Sequence, residues 1–172
     1  MHYSAIKPND IANGDGVRVS LFVSGCRNCC KGCFNPETWS FTAGELFDES
    51  CEEKILSQVD RYYINGLTLL GGDPFEIENQ RGLINLIRKF RKRFPDKTIW
   101  AYTGYIYDQD LQAGGKRHCE VTDELLEAIS VLVDGPFVEE LKDISLKFRG
   151  SSNQRLIDLN KTRQNGKIEL IQ

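Results

Sequence analysis

The chain has 172 residues, 40% of them apolar and 27% charged, with a formal net charge of −3. That length suits a single domain burying roughly 70% of the surface its unfolded form exposes, which excludes a second substrate-binding domain. The weak net charge gives no reason to expect nucleic acid; no apolar run nears the ~20 residues of a membrane span, and charges occupy the first twenty residues where a signal peptide needs an apolar core, so the expected location is the cytoplasm.

In chain order, Val17 to Val23 (VRVSLFV) reads as a β-strand leading into a loop with Gly25, Gly32 and Pro36. Ser50 and Glu53 have capping-box spacing, and Ile55, Val59 and Tyr62 continue one face, which predicts a helix starting at Ser50. Leu67 to Leu70 is a short apolar strand that exits through Gly71-Gly72-Asp73-Pro74. Leu83, Ile84, Leu86, Ile87, Phe90 and Phe94 recur at helical spacing and predict an amphipathic helix over about 79–94. The basic run within it, Arg88, Lys89, Arg91, Lys92 and Arg93, reads as the solvated face of that helix rather than a docking surface. Thr98 to Tyr102 is a third strand ending at Thr103-Gly104. A helix near 122–130 then leads to a fourth strand, Val131 to Val133, ending at Asp134-Gly135-Pro136. Residues 1–172 read as one domain without repeats, and the tail after about residue 155 carries no assignment.

Strands alternating with helices predict an α/β fold with a parallel sheet built from right-handed crossovers. Ligands of such sheets sit beyond the carboxyl ends of the strands. The cysteine loop, the Gly-Gly-Asp-Pro loop, Thr103-Gly104-Tyr105 and Asp134-Gly135-Pro136 each follow a strand, so they are expected to gather on that one edge.

Six cysteines in a cytosolic chain point to metal or redox chemistry rather than disulfides, and four of them, Cys26, Cys29, Cys30 and Cys33, fall within eight residues. Cys26, Cys30 and Cys33 have the spacing C-x3-C-x2-C directly after a strand. Thiolates are the usual ligands of a 4Fe-4S cluster, and three of them leave its fourth iron open to a small molecule. Including Cys29 gives C-x2-C-C-x2-C, which a zinc-binding module could use, although structural zinc sites space their two pairs a dozen or more residues apart. Cys30 and Cys33 alone could be a thioredoxin-like dithiol, against which Pro36 argues because that motif opens a helix. Cys29, Cys51 and Cys119 read as bystanders. Phe34 offers a flat apolar surface suited to an adenine. Gly71 and Gly72 permit close backbone approach to a ligand, and Asp73 offers a carboxylate to a ligand ammonium.

The cysteine motif followed by an aromatic, with Gly-Gly-Asp-Pro one βα unit later, resembles the radical S-adenosylmethionine superfamily. More narrowly, the chain resembles the activating proteins of the class III, oxygen-sensitive ribonucleoside-triphosphate reductases. That similarity extends over Asp10 to Gly16 (DIANGDG), Leu21 to Cys26 (LFVSGC), Asn35 to Trp39 (NPETW), Gly66 to Pro74 (GLTLLGGDP), Ile99 to Tyr105 (IWAYTGY), Val131 to Phe137 (VLVDGPF) and Arg149 to Gln154 (RGSSNQ). Asp15 departs from it, standing where the family usually has proline.

The resemblance implies an incomplete β/α barrel, open toward a large partner, with the cofactor site at the strand carboxyl ends. It implies reductive cleavage of S-adenosylmethionine at a 4Fe-4S cluster, producing a radical that removes hydrogen from one glycine of the reductase's large subunit. The cofactor carries that chemistry, so no catalytic acid or base side chain is expected. On this reading Cys26, Cys30 and Cys33 hold the cluster, and Gly32, Cys33, Phe34, Gly71, Gly72 and Asp73 hold S-adenosylmethionine. Thr103 and Asp134 are further candidates from the same edge, Arg149 to Gln154 could touch partner or cofactor, and flavodoxin is the family's suggestion for an electron donor. The alternatives are another small radical S-adenosylmethionine enzyme, such as the activase of a different glycyl-radical enzyme, and the zinc-binding module.

Overall fold

In the computed structural model, which describes residues 1–171, strands and helices alternate as the periodicity predicts. β1 (His2–Asp10), β2 (Arg18–Val23) and the two-residue β3 (Glu45–Leu46) precede α1 (Glu49–Val59). Next come β4 (Gly66–Gly71), α2 (Ile77–Arg93), β5 (Thr98–Tyr102), the short α3 (Tyr107–Asp110) and α4 (Thr122–Ala128). β6 (Val131–Asp134), β7 (Arg155–Asp158) and α5 (Leu159–Asn165) complete the fold.

The strands form one sheet of seven, in the order β3-β1-β2-β4-β5-β6-β7. The expectation of a parallel sheet holds for its centre, β2-β4-β5-β6, and is corrected at both flanks. β1 and β7 run antiparallel to their inner neighbours, so the sheet is mixed. The reason lies in the connections: β1 returns to β2 through a short turn, and only a three-residue 3-10 helix, Glu139–Leu141, lies between β6 and β7, too short for a crossover. The unassigned tail supplies β7 and α5, the latter capped by Asp158, whose carboxylate accepts from the Lys161 N–H.

Alternation along the central strands gives the sheet two different faces. Val19, Leu21 and Val23 of β2, Leu67 and Leu69 of β4, Ile99 of β5 and Leu132 of β6 are buried against Ile55, Leu56, Leu83, Leu86, Phe90 and Leu125 from the helices. On the other face Trp100, Val131, Val133 and Leu156 form a separate cluster with Tyr102 and Phe148, without a helix member. Arg18 is fully buried on that face, stacked on Trp100 and donating to Thr68 Oγ1 at 2.7 Å and to the Asp15 carbonyl at 3.1 Å. Residue 15 thus contributes its main chain, which explains why aspartate can stand where proline is usual.

The predicted start of the first helix is also corrected. Asp48, not Ser50, is the cap, accepting from the Cys51 N–H at 3.0 Å, and Tyr62 lies beyond the helix end at 99% exposure. Four of the five cations in the basic run of α2 are paired within the chain: Arg88 with Glu124, Lys89 with Glu52, Arg93 with Asp60, and Arg91 with the Ala128 carbonyl. Among the described residues no helix is long and apolar enough to cross a membrane.

Candidate cluster and cofactor site

The carboxyl ends of β2, β4, β5 and β6 share one edge of the sheet, and the four loops singled out in the sequence meet there. Gly25, at a left-handed φ of +104°, starts the cysteine loop and donates to the Thr38 carbonyl at 2.7 Å. The loop is tied to its neighbour by two main-chain bonds, Asp73 N–H to the Gly25 carbonyl at 2.8 Å and Gly72 N–H to the Val23 carbonyl at 2.7 Å. This approach requires glycine: a Cβ on residue 72 would stand 2.6 Å from the Gly25 oxygen.

Cys26, Cys30 and Cys33 line a single cavity of about 470 Å³, a size ordinary for a cofactor site. Phe34, Gly71, Gly72, Asp73 and Thr103 line it too, so most of the predicted site residues are brought together. Cys29 is exposed, takes the left-handed φ of 44°, and is not among the lining residues. Phe34 packs its ring against Phe137 with centroids 5.1 Å apart and keeps 61% of its surface exposed.

Two predicted residues do not face the cavity. Gly32 shapes the turn between Cys30 and Cys33, where a Cβ would meet the Glu139 carboxylate at 2.8 Å. Asp134 is fully buried behind the wall, accepting from Arg155 Nε and from the Tyr107 N–H, both at 2.8 Å, while its neighbour Gly135 lines the cavity.

Asp73 is buried, and both its oxygens are engaged within the chain. It accepts from the N–H groups of Phe75 and Gly104 and from Thr103 Oγ1 at 2.8–2.9 Å, and from Asn28 at 3.2 Å. It therefore ties the cysteine loop to β5. Burial pushes its carboxyl up to about 7, while the donors from Phe75, Gly104 and Thr103 pull the other way.

A second buried carboxylate, Glu76, is a site residue that sequence reasoning missed. It accepts from the Arg27 N–H at 2.8 Å, the Arg27 guanidinium at 2.5 Å and the Tyr105 hydroxyl at 2.6 Å. Asn79, also missed, donates to the carbonyls of Ser24 at 3.0 Å and Asp73 at 2.9 Å. The available signal was an acid and an amide two and five residues beyond Pro74, at the start of a helix whose buried face is apolar from Leu83 onward.

The donor set fits an iron-sulfur cluster. All three cysteines are free thiols on one wall, and soft thiolates are what such a cluster takes. Among the described residues no three His, Cys, Asp or Glu side chains converge as the ligands of a single ion would, whereas thiolates bound to separate irons of a cubane stand farther apart. In the metal-free chain burial pushes the Cys26 thiol up to about 12, helped by the nearby Asp73 carboxylate, and burial raises Cys30 as well. Iron must therefore displace protons as it binds.

Comparison with known proteins agrees with this geometry. A family profile described as a 4Fe-4S single cluster domain matches residues 12–157, most of the chain, so the class is that of single-cluster iron-sulfur proteins. The chain is 43% identical over 157 residues to the anaerobic ribonucleoside-triphosphate reductase-activating protein of Haemophilus influenzae, covering 90% of this chain and 96% of that protein. Proteins of the same name from Pasteurella multocida and Escherichia coli are 42% and 41% identical over 156 residues, covering 90% of this chain and 95% and 96% of theirs. The chain belongs to the family of anaerobic ribonucleoside-triphosphate reductase-activating proteins.

Proposed function

We propose that this chain activates an anaerobic ribonucleoside-triphosphate reductase by generating a glycyl radical in its large subunit. The observation that carries the reading is that Cys26, Cys30 and Cys33 line one cavity together with Gly71, Gly72 and Phe34, while Cys29 stays outside it. When bound, the cluster supplies the electron that cleaves S-adenosylmethionine to methionine and a 5′-deoxyadenosyl radical, which takes hydrogen from a glycine of the partner.

The chain's own residues hold and shield. Three thiolates anchor three irons, and no fourth cysteine lines the cavity to cap the last one. Gly71 and Gly72 leave room for a ligand against bare main chain, Cys33 and Phe34 present backbone and ring to the adenine side, and Gly32 sets the turn carrying them. Asp73, with Thr103, and Asp134, with Arg155, fix the loops that form the walls. No side chain is needed as acid or base, because the bound groups carry the electron chemistry.

The sheet with one helix-free face is read as the incomplete β/α barrel of the radical S-adenosylmethionine type, formed by residues 1–172 as one domain, its open side turned to the reductase. The protein works in the cytoplasm, where its thiols stay reduced, and takes its electron from a donor such as flavodoxin. The test is anaerobic co-expression with the reductase. The expected result is stoichiometric iron and sulfide and a glycyl doublet by electron spin resonance that requires S-adenosylmethionine. Stoichiometric zinc without sulfide, or no doublet from an iron-loaded protein, overturns the reading.

A further inference from the structure

A buried charge stands behind the cysteine loop. Glu76 is fully buried and makes only acceptor contacts: one oxygen takes the Arg27 N–H and the Tyr105 hydroxyl, the other the Arg27 guanidinium. Neither Glu76 nor Arg27 lines the cavity. The bond from the Arg27 N–H sets the carboxylate against the main chain next to Cys26, and its charge is felt there. Burial holds the Cys26 thiol up to about 12, and the carboxylates of Asp73 and Glu76 add to that effect.

The counter-charge is more exposed. The Arg27 guanidinium lies 4.3 Å from the centre of the Phe41 ring, and Phe41 closes over the start of the loop, where a Cβ on Gly25 would stand 2.4 Å from that ring. The arginine side chain is half-exposed and is shared with Glu78, whose carboxylate accepts from it at 2.6 Å. Arg117 Nε adds a second cation 3.5 Å from Glu76. Water screens an exposed cation more than a buried anion, so the pair does not cancel at the loop. An iron-sulfur cluster gains a negative charge on reduction, and its potential follows the charges around it. A fixed carboxylate therefore opposes reduction, and a guanidinium favours it.

We propose that Glu76 and Arg27 set the reduction potential of the cluster from behind its loop, the carboxylate lowering it and the guanidinium raising it, without contributing to the cofactor cavity. The first gives the electron the driving force that cleavage of a sulfonium needs; the second keeps the cluster within reach of its donor. The inference rests on the cluster reading given above. Its test is a potentiometric titration of the reconstituted protein at one pH without S-adenosylmethionine, read by electron spin resonance of the reduced cluster. Glu76→Gln, which keeps an acceptor for the loop, is expected to raise the reduced-to-oxidised ratio at a fixed potential about 3-fold, or about 28 mV for one electron. Arg27→Gln is expected to lower that ratio by about 2-fold, a smaller effect because solvent screens the guanidinium. Arg27→Lys should recover most of the loss, and the double variant Glu76→Gln with Arg27→Gln should lie between the two single ones. Arg88→Gln, remote from the loop, should match wild type, and Arg27→Gln should keep wild-type affinity for S-adenosylmethionine by equilibrium dialysis.

Shifts of the same sign in Glu76→Gln and Arg27→Gln overturn the inference, because a loosened loop rather than charge then moves the potential. Unshifted potentials overturn it as well, as does an Arg27→Lys that behaves like Arg27→Gln, or a shift that comes with lost S-adenosylmethionine affinity. If Glu76→Gln assembles no cluster, the Arg27 variants decide by the same criteria. A wild-type protein that takes up zinc in place of iron and sulfide is a separate result: the cluster reading has then failed, and the inference falls with it.

Discussion

The main-chain N–H of Arg27, inside the cysteine loop, donates at 2.8 Å to the carboxylate of Glu76, which lies fully buried just before α2. One side chain thereby anchors the backbone between Cys26 and Cys30. Glu76→Ala strands that N–H and the Tyr105 hydroxyl, takes the buried acceptor from the Arg27 guanidinium and removes the counter-charge that stands 3.5 Å from Arg117 Nε. A loss of about 1–3 kcal/mol is expected from leaving buried donors without their acceptor. Urea unfolding of the metal-free protein measures it, and iron content after anaerobic reconstitution should fall with it. Glu76→Gln, which keeps one oxygen acceptor, should lie between. Stability unchanged in Glu76→Ala would refute the anchoring role.

Cysteine substitutions should separate sharply. Cys26→Ala, Cys30→Ala and Cys33→Ala each remove a thiol from the cavity wall and should abolish cluster assembly, read as loss of iron and of the visible absorption of the reconstituted protein. Cys29→Ala should retain most of the cluster, because Cys29 is exposed and outside the lining. Cys29→Gly should also keep the cluster and gain up to about 1 kcal/mol, since residue 29 holds a left-handed φ that glycine adopts without strain. An intact cluster in Cys30→Ala combined with its loss in Cys29→Ala would reverse the ligand assignment.

The parts of the fold legible in the sequence share a physical cause. β2, β4, β5 and β6 are buried centrally, so they read as short apolar runs, and each ends at a glycine or aspartate turn that gave the site its loops. β1 was opaque because it is half-exposed, contains Pro8 and shifts register between Lys7 and Asp10, which erases simple alternation. β7 is short, and its amphipathic signal is too weak to distinguish from the loop before it. The α1 cap was misplaced because Ser50 and Asp48 are both good capping residues, and only the Cys51 N–H decides between them. Glu76 and Asn79 escaped for a different reason: a buried polar residue has no periodic signature, and its burial arises only when distant loops close over it. Asp134 was legible as a residue at the right edge but not as one already held by Arg155, twenty-one positions later.

Gly72→Ala tests how tightly the two main loops must meet. The added methyl would fall 2.6 Å from the Gly25 carbonyl oxygen and 2.9 Å from its nitrogen, both main chain, so relief requires the loops themselves to move. Because that movement displaces the wall beside Cys26, S-adenosylmethionine affinity of the reconstituted protein should fall at least 10-fold, an effect of about 1.4 kcal/mol. Equilibrium dialysis or calorimetry reads it directly. Gly114→Ala is the matching control, as nothing lies within 4 Å of the added atom, although its positive φ of +84° makes a small stability loss expected there. Equal affinities in Gly72→Ala and wild type would show that the loop contact does not shape the ligand site.

Asp73 should make the metal-free protein less stable as pH rises. Its carboxyl is pushed up to about 7 by burial, from the ordinary 3.8, so between these values the folded state holds a proton that the unfolded state has released. The unfolded chain then binds fewer protons, and unfolding free energy declines with increasing pH through that window, levelling off above pH 7. The drop from pH 5 to pH 7 is expected to be about 2 kcal/mol from this group. Denaturant titrations at pH 5, 6, 7 and 8 measure the slope. Asp73→Asn removes the titration and should flatten that segment of the profile, while lowering stability at low pH because an amide N–H₂ must face the donors from Phe75 or Gly104. A wild-type profile that instead rises from pH 5 to pH 7, with Asp73→Asn removing the rise, would mean that the donors outweigh burial and that Asp73 is ionised in the fold.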